Sequence, residues 1–462
     1  MPLRLRAISI AARLFFSGDF SELLRRIRVR VFGKRSIASP TFFESGSTLD
    51  ESDVELIGAA QANAFDDVGL PTVPVRCLMF AHNLNYEGAP TSQFELTRAL
   101  MECKVIAPEV IAFNDGPLRA AYETSGIAVT VIPNCLQRMP TLARLEKVVD
   151  ELVEIINDKG ASVVYANTLL TFAAILAADK VGVPSIWNPR ESDPWETYFG
   201  FLNDAVAQRA LAAFVLPYRV VFVADATRRA WSQFDVRRNF TVIRNGLDTR
   251  TLVSVISSED RKRVREKLGY TEQDIVFLCV GTFCERKGQR DLVQALGIMD
   301  RALVEHAHVC LLGDENASYS RLLRSDMHKL SSEMRAHVAL HSATSEVHDY
   351  YAAADVFVLC SRVESYPRVI LEAMLHGLPV IATPVFGVLE QVSNGVNAMF
   401  FEPGNVKELA GHMGLLIEDS QLREKLALGS RLRFDELPTF DEMVDAYGET
   451  FRCASSVGAG RH

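Results

Sequence analysis

Residues 356–383 read Val356-Phe-Val-Leu-Cys360-Ser-Arg-Val-Glu364-Ser-Tyr-Pro367-Arg-Val-Ile-Leu-Glu372-Ala-Met-Leu-His376-Gly377-Leu-Pro379-Val-Ile-Ala-Thr383. The apolar run 356–360 predicts a strand buried on both faces, as in a parallel sheet. Pro367 suits the first turn of a helix, where its missing amide hydrogen is not needed. That helix runs to His376 and stops at Gly377, with Pro379 close behind. Residues 378–383 predict a second buried strand, followed by a loop with Gly387 and a short helix ending near Asn394. A strand, a helix and a second parallel strand put Glu364 in the loop at the first strand's carboxyl end. Open α/β sheets place their ligands there.

Glu364 and Glu372 are eight residues apart, one on the loop and one about two turns into the helix. Carboxylates so placed can accept hydrogen bonds from vicinal hydroxyls, one set on a sugar and one on a ribose. An isolated pair at this spacing is more often a solvated Glu364 and a helical Glu372 held by Arg368 or His376. The two buried strands and the glycine loop around the pair reverse that preference.

The α/β alternation extends both ways. Upstream, 75–81 predicts a strand, and the loop His82-Asn-Leu-Asn-Tyr-Glu-Gly88-Ala-Pro90 leads to a helix over 92–101. Its small residues let backbone amides approach a phosphate at a helix N-terminus, although a plain βα turn reads the same way. Further βα units follow over 105–125, 129–159, 163–181 and 185–188, then a strand over 220–226, which together imply a parallel sheet. Trp187-Asn-Pro-Arg190-Glu191-Ser192 ends one of these strands. Arg190 and Glu191 read either as acceptor contacts or as a structural pair, and His82 as a candidate for either substrate.

After Asn245-Gly-Leu-Asp248 comes a helix over 259–268 and a strand over 275–280. Gly281-Thr-Phe-Cys-Glu-Arg286-Lys287-Gly288 then opens a helix over 290–296. This loop is neither a Walker P-loop nor Gly-x-Gly-x-x-Gly, which weakens ATPase and dehydrogenase readings. Its lysine offers a point charge to a diphosphate. Strands over 308–312 and 338–341 precede the opening stretch, and helices over 406–418, 421–428 and 439–452 follow it.

A chain of 462 residues exceeds one core and predicts two or three domains. With 48% apolar residues it is a soluble globular protein, and its net charge of −9 argues against nucleic-acid binding. Residues 1–35 nevertheless hold nine Arg/Lys against two acidic residues, a net +7 that leaves −16 elsewhere. They read as two basic helical segments, suited equally to an anionic membrane surface or to a solvated or packed tail. Residues 36–73 read as a linker. The eight cysteines lack any Cys-x-x-Cys spacing and mostly lie in apolar runs, the pattern of reduced cytoplasmic thiols. No secretory signal or membrane span is expected, so the chain is placed in the cytoplasm, with the inner membrane face as an option.

In combination, Glu364-Ser-Tyr-Pro-Arg-Val-Ile-Leu-Glu372, Gly377-Leu-Pro-Val-Ile-Ala-Thr and Gly387-Val388-Leu389-Glu390 resemble the donor site of family 4 glycosyltransferases. The resemblance covers about residues 75–430. It implies the GT-B fold: two Rossmann-like domains, here 74–244 and 245–432, facing a central cleft, with helix 439–452 crossing back to the first. It implies a retaining hexosyltransferase using a nucleotide diphosphate sugar, UDP before GDP, and a glycan or lipid-linked acceptor in cell-surface polysaccharide synthesis. Lys287, Arg286 and the amides around Gly387 would meet the diphosphate, without metal or other cofactor. Glu372 would meet the ribose, Glu364 the donor sugar, and the loop at Thr344 the base. Gly88, Gly281 and residues 387–390 would line the donor. Thr282 stands where many members carry Arg, with Arg286 offering charge from another position, and Ser365 stands where many carry Gly. Two alternatives remain: a synthase acting on a small soluble acceptor, and a non-catalytic partner subunit.

Overall fold

A computed structural model describes residues 73–251, 258–313 and 317–459. The basic segment 1–35 and all but the last residue of the linker 36–73 lie outside the described residues. Two parallel sheets carry the chain. The first contains β1 Val75–Ala81, β2 Ile106–Ala112, β3 Ala128–Val131, β4 Val163–Asn167, β5 Ser185–Asn188, β6 Arg219–Phe222 and β7 Phe240–Val242, in spatial order 3-2-1-4-5-6-7. The second contains β8 Ile275–Val280, β9 Ala307–Leu312, β10 Val338–His341, β11 Val356–Leu359, β12 Val380–Ala382 and β13 Ala398–Phe400, in order 10-9-8-11-12-13. Both sheets reverse strand order once, between β1 and β4 and between β8 and β11. These are the switch points where doubly wound folds open a crevice.

The helices that position the site are α1 Gly88–Glu102, α2 Leu142–Lys159, α3 Gln289–Ile298, α4 Val347–Ala353, α5 Arg368–Leu375, α6 Val388–Gln391, α7 Ser420–Glu436 and α8 Phe440–Ala459. In α2 the amphipathic logic is plain. Leu145, Val148, Val149, Leu152 and Ile156 form one buried stripe, Thr141 accepts the Arg144 amide at the start, and Gly160 at φ 57° ends the helix. In α5, Pro367 occupies the N-cap and Gly377 follows at φ 65°.

Each sheet is covered on both faces by apolar side chains. The last helix, α8, buries Phe440, Met443, Val444, Tyr447, Phe451 and Ala454 in the first sheet's core rather than the second's. Tyr165 of β4 meets Tyr447 and Phe451 with ring centroids 6.2 and 5.8 Å apart. The first domain is therefore completed by the end of the chain. No helix among the described residues is long and apolar enough to cross a membrane.

Three element boundaries differ instructively from expectation. The strand expected over 220–226 ends at Phe222, and Asp225–Ala230 is helical. Val223 and Ala224 are apolar because they pack into the second domain's core, not because they continue a strand. The helix expected from residue 92 begins at Gly88, because Pro90 fits a first turn. The helix expected over 421–428 runs to Glu436, where Ser430 anchors to the Leu378 carbonyl at 2.7 Å.

Candidate active site

The loops leaving β8 and β11 converge at the second sheet's switch point. The β8 loop is kept narrow by glycine. Gly281 sits at φ 146° and Gly288 at φ 66°, and a Cβ on Gly288 would lie 2.3 Å from the Cys360 carbonyl oxygen. Only glycine suits a positive φ combined with such an approach. The loop places Lys287 Nζ 2.6 Å from Glu364 Oε1, which also accepts from Ser361 Oγ at 2.7 Å. Arg286 Nη1 stands 3.7 Å from the same oxygen and donates to the Val363 carbonyl at 3.1 Å. Behind them Arg362 grips Asp291 with both terminal nitrogens, at 2.6 and 2.9 Å, which ties the β11 loop to α3.

Glu364 is 7% exposed. Burial alone would raise its pKa, but Lys287 and Arg286 outweigh burial and hold the carboxyl below the usual range. The loop thus presents a fixed carboxylate flanked by two cations. Lys287 has further ammonium hydrogens to offer an incoming anion while keeping Glu364.

Glu372 is buried one helical turn beyond Arg368. Its Oε1 accepts from Arg368 Nε at 2.7 Å and its Oε2 from the Tyr351 hydroxyl of α4 at 2.9 Å. The His376 amide donates to the Glu372 carbonyl at 3.2 Å, but its imidazole turns from the carboxylate and meets His348 nitrogen to nitrogen at 3.0 Å. Burial, then the neighbouring His348, lowers the His376 pKa to about 4.

Gly387 lies where an added Cβ would be 1.6 Å from the Ser365 carbonyl oxygen and 2.8 Å from the Ala224 Cβ. The preceding Phe386 has φ 43°. Val388 is buried and Leu389 is exposed. Glu390 turns to the first domain: Oε1 accepts from the Ala226 amide at 2.8 Å, and Oε2 from Arg244 Nη2 at 2.7 Å. Thr344 Oγ1 accepts from the Glu346 amide at 3.1 Å in the loop after β10.

The first domain faces this assembly with the ends of β1, β4 and β5. Gly88 opens α1, and a Cβ there would meet nothing within 4 Å. His82 Nδ1 lies 3.3 Å from Thr168 Oγ1. Thr168 adopts φ 75° and ψ 162°, a conformation costly for a β-branched residue. It is held there by the Trp187 indole, which donates to the Thr168 carbonyl at 2.8 Å.

Arg190 and Glu191 are not a side-chain pair. Arg190 reaches Asn167 at 3.2 Å and Asn245 at 2.6 Å. Glu191 instead accepts from the Leu169 and Arg190 amides and the Tyr198 hydroxyl, at 3.0, 2.8 and 2.9 Å. Burial raises its pKa despite these donors. Burial likewise raises the pKa of Asp193, with Arg286 pulling the other way across the cleft.

Local patterning hides the contacts that join the two halves. Ser365 Oγ donates to the Arg190 carbonyl at 2.6 Å and lies 2.8 Å from Ser192 Oγ, itself 2.7 Å from Thr227 Oγ1. Arg368 reaches Glu95 of α1, and Arg98 reaches Asp248 at 3.0 Å. Their separations along the chain run from 150 to 273 residues, so no motif could announce them. Among the described residues no group of three His, Cys, Asp or Glu is arranged to hold a metal ion.

Residues 260–433 match the family described as Glycosyl transferases group 1. A putative glycosyltransferase, EpsD, of Bacillus subtilis (strain 168) is 27% identical over 195 residues, 42% of this chain and 50% of that protein. The lipopolysaccharide core biosynthesis glycosyltransferase LpsE of Rhizobium meliloti (strain 1021) is 27% identical over 256 residues, 54% of this chain and 69% of that one. The chain thus spans between half and about two thirds of these relatives' lengths. Among solved structures, Anabaena Alr3699/HepE in complex with UDP and glucose superposes with a TM-score of 0.70 at 23% identity, over 81% of this chain and 99% of that one. That likeness establishes the GT-B fold.

Proposed function

We propose, for a chain whose second domain belongs to glycosyl transferases group 1, that it moves a sugar from a nucleotide diphosphate sugar, UDP before GDP, to a glycan or lipid-linked acceptor. Retention of anomeric configuration, and work in cell-surface polysaccharide synthesis at the cytoplasmic membrane face, are parts of the same proposal. The observation that carries it is the Lys287–Glu364 pair at 2.6 Å, with the carboxylate buried at the second sheet's switch point.

The diphosphate lies against Lys287, Arg286 and the amides around Gly387. As the glycosidic bond breaks, negative charge grows on the leaving phosphate, and cations already in place stabilise it without reorganising. Protein cations take the role a metal would otherwise fill. Glu364, kept ionised by its neighbours, faces the sugar near the anomeric carbon and stabilises positive charge there. The acceptor oxygen bonds to that carbon on the face the phosphate leaves, and its proton passes to the departing phosphate oxygen. Arg190 and Glu191 lie on the acceptor side.

Thermal shift and donor hydrolysis across UDP-, GDP- and ADP-sugars test this reading. One nucleotide class should stabilise the wild type and turn over slowly, and Lys287→Ala should lose about 10²-fold in turnover. A wild type that no nucleotide sugar shifts would remove the catalytic reading and favour a partner subunit.

A further inference from the structure

Arg368 touches both domains. Its Nε donates to Glu372 Oε1 at 2.7 Å, and its Nη1 pairs with Glu95 Oε2 on α1. The Arg368 side chain is 12% exposed, Glu95 15% and Glu372 8%. An exposed pair would be worth little, but in this half-buried setting a guanidinium that loses Glu95 gives up a charge-assisted hydrogen bond and keeps only Glu372. The planar fork fixes its two partners relative to one another. Glu95 lies two turns into the helix that Gly88 opens, so one side chain links the β11–α5 carboxylate to the first helix of the first domain.

Tyr351 completes the arrangement by donating to Glu372 Oε2 at 2.9 Å. Each Glu372 oxygen then has one protein donor and lone pairs to spare for a vicinal diol. The carboxylate is held oriented by these two donors whether or not a nucleotide is present.

We propose that Arg368 is a positioning residue that couples the grip on the donor's ribose to closure of the two domains. The proposal rests on the nucleotide-sugar reading of the site. When the domains close, Glu95 fixes the guanidinium and the guanidinium fixes Glu372. When they part, Arg368 keeps Glu372 alone and the fork is free to swing with it. Ribose recognition is therefore sharpest in the closed form, and a nucleotide that engages Glu372 favours closure by the same free energy.

The test compares wild type, Glu95→Gln and Arg368→Met by calorimetric titration with UDP, GDP and ADP and the 2′-deoxy form of each. Small-angle scattering of the nucleotide-bound proteins accompanies it. Glu95→Gln leaves every expected donor contact in place, so it separates coupling from contact. Wild type should prefer the ribonucleotide by about tenfold or more, the worth of a hydrogen bond to a charged acceptor. Glu95→Gln should shrink that preference at least about threefold and enlarge the bound protein's radius of gyration, and Arg368→Met should abolish the preference. An unchanged ribo-to-deoxy ratio in Glu95→Gln overturns the coupling. So does an Arg368→Met variant that weakens both forms equally, which is the mark of a purely structural role. If no nucleotide binds the wild type, the donor reading itself falls, an outcome distinct from binding with an unchanged ratio.

Discussion

At the scale of single residues the site is governed by how burial and charge compete. Glu364 is buried and His376 half-buried, yet only at Glu364 does opposite charge outweigh burial. Burial first, and then the imidazole of His348, penalise the charged form of His376, so its pKa falls from 6.5 to about 4. In the unfolded chain the ring binds a proton below 6.5, and in the folded protein only near 4. Between these values the unfolded state holds more protons, so stability falls as pH drops through that window. Melting temperature should decline from pH 6.5 towards 4, and His376→Gln should flatten the slope measured by differential scanning calorimetry. Both glutamates were readable from spacing and setting, and Arg368 was readable as a partner of Glu372 because i,i+4 neighbours meet on a helix. Ser192 and Glu95 were not readable, since nothing local distinguishes a serine or glutamate that faces another domain from one that faces water. Thr168 was the least legible of all, because residue type argues against the conformation it adopts.

Among the elements, the strand–loop–helix units at the two switch points were legible because parallel strands buried on both faces leave continuous apolar runs. β5, β8 and β10 fall where periodicity and turn residues put them. The misread unit was β6, whose apolar run continues past the strand's end to serve the domain interface. The same interface makes position 387, at the start of α6, intolerant of any side chain. A methyl group on Gly387 would enter the space of the Ser365 carbonyl oxygen and the Ala224 Cβ. Gly387→Ala should cost about 3 kcal/mol, at the upper end for overpacking, and should weaken nucleotide affinity along with stability. Urea denaturation with and without nucleotide reads both effects. A variant that keeps full stability would mean that this contact yields.

For the whole molecule the defining contact is α8 on the first sheet. Tyr447 is 1% exposed and packs against Tyr165, so Tyr447→Ala should cost about 3 kcal/mol or more by emptying a core position. The loss should fall on the first domain, splitting one calorimetric transition into two with the second domain melting later. A single transition shifted as a whole would show that the domains melt as one unit. The return of the chain also bears on how the protein is made. A ribosome delivers β1 to β7 first, yet the surface they turn towards α8 stays bare until residues 440–459 emerge. The second domain, whose strands are contiguous in sequence, can finish folding before the first. The order of synthesis and the order of completion are reversed, and the nascent first sheet is the part that a chaperone would have to shelter.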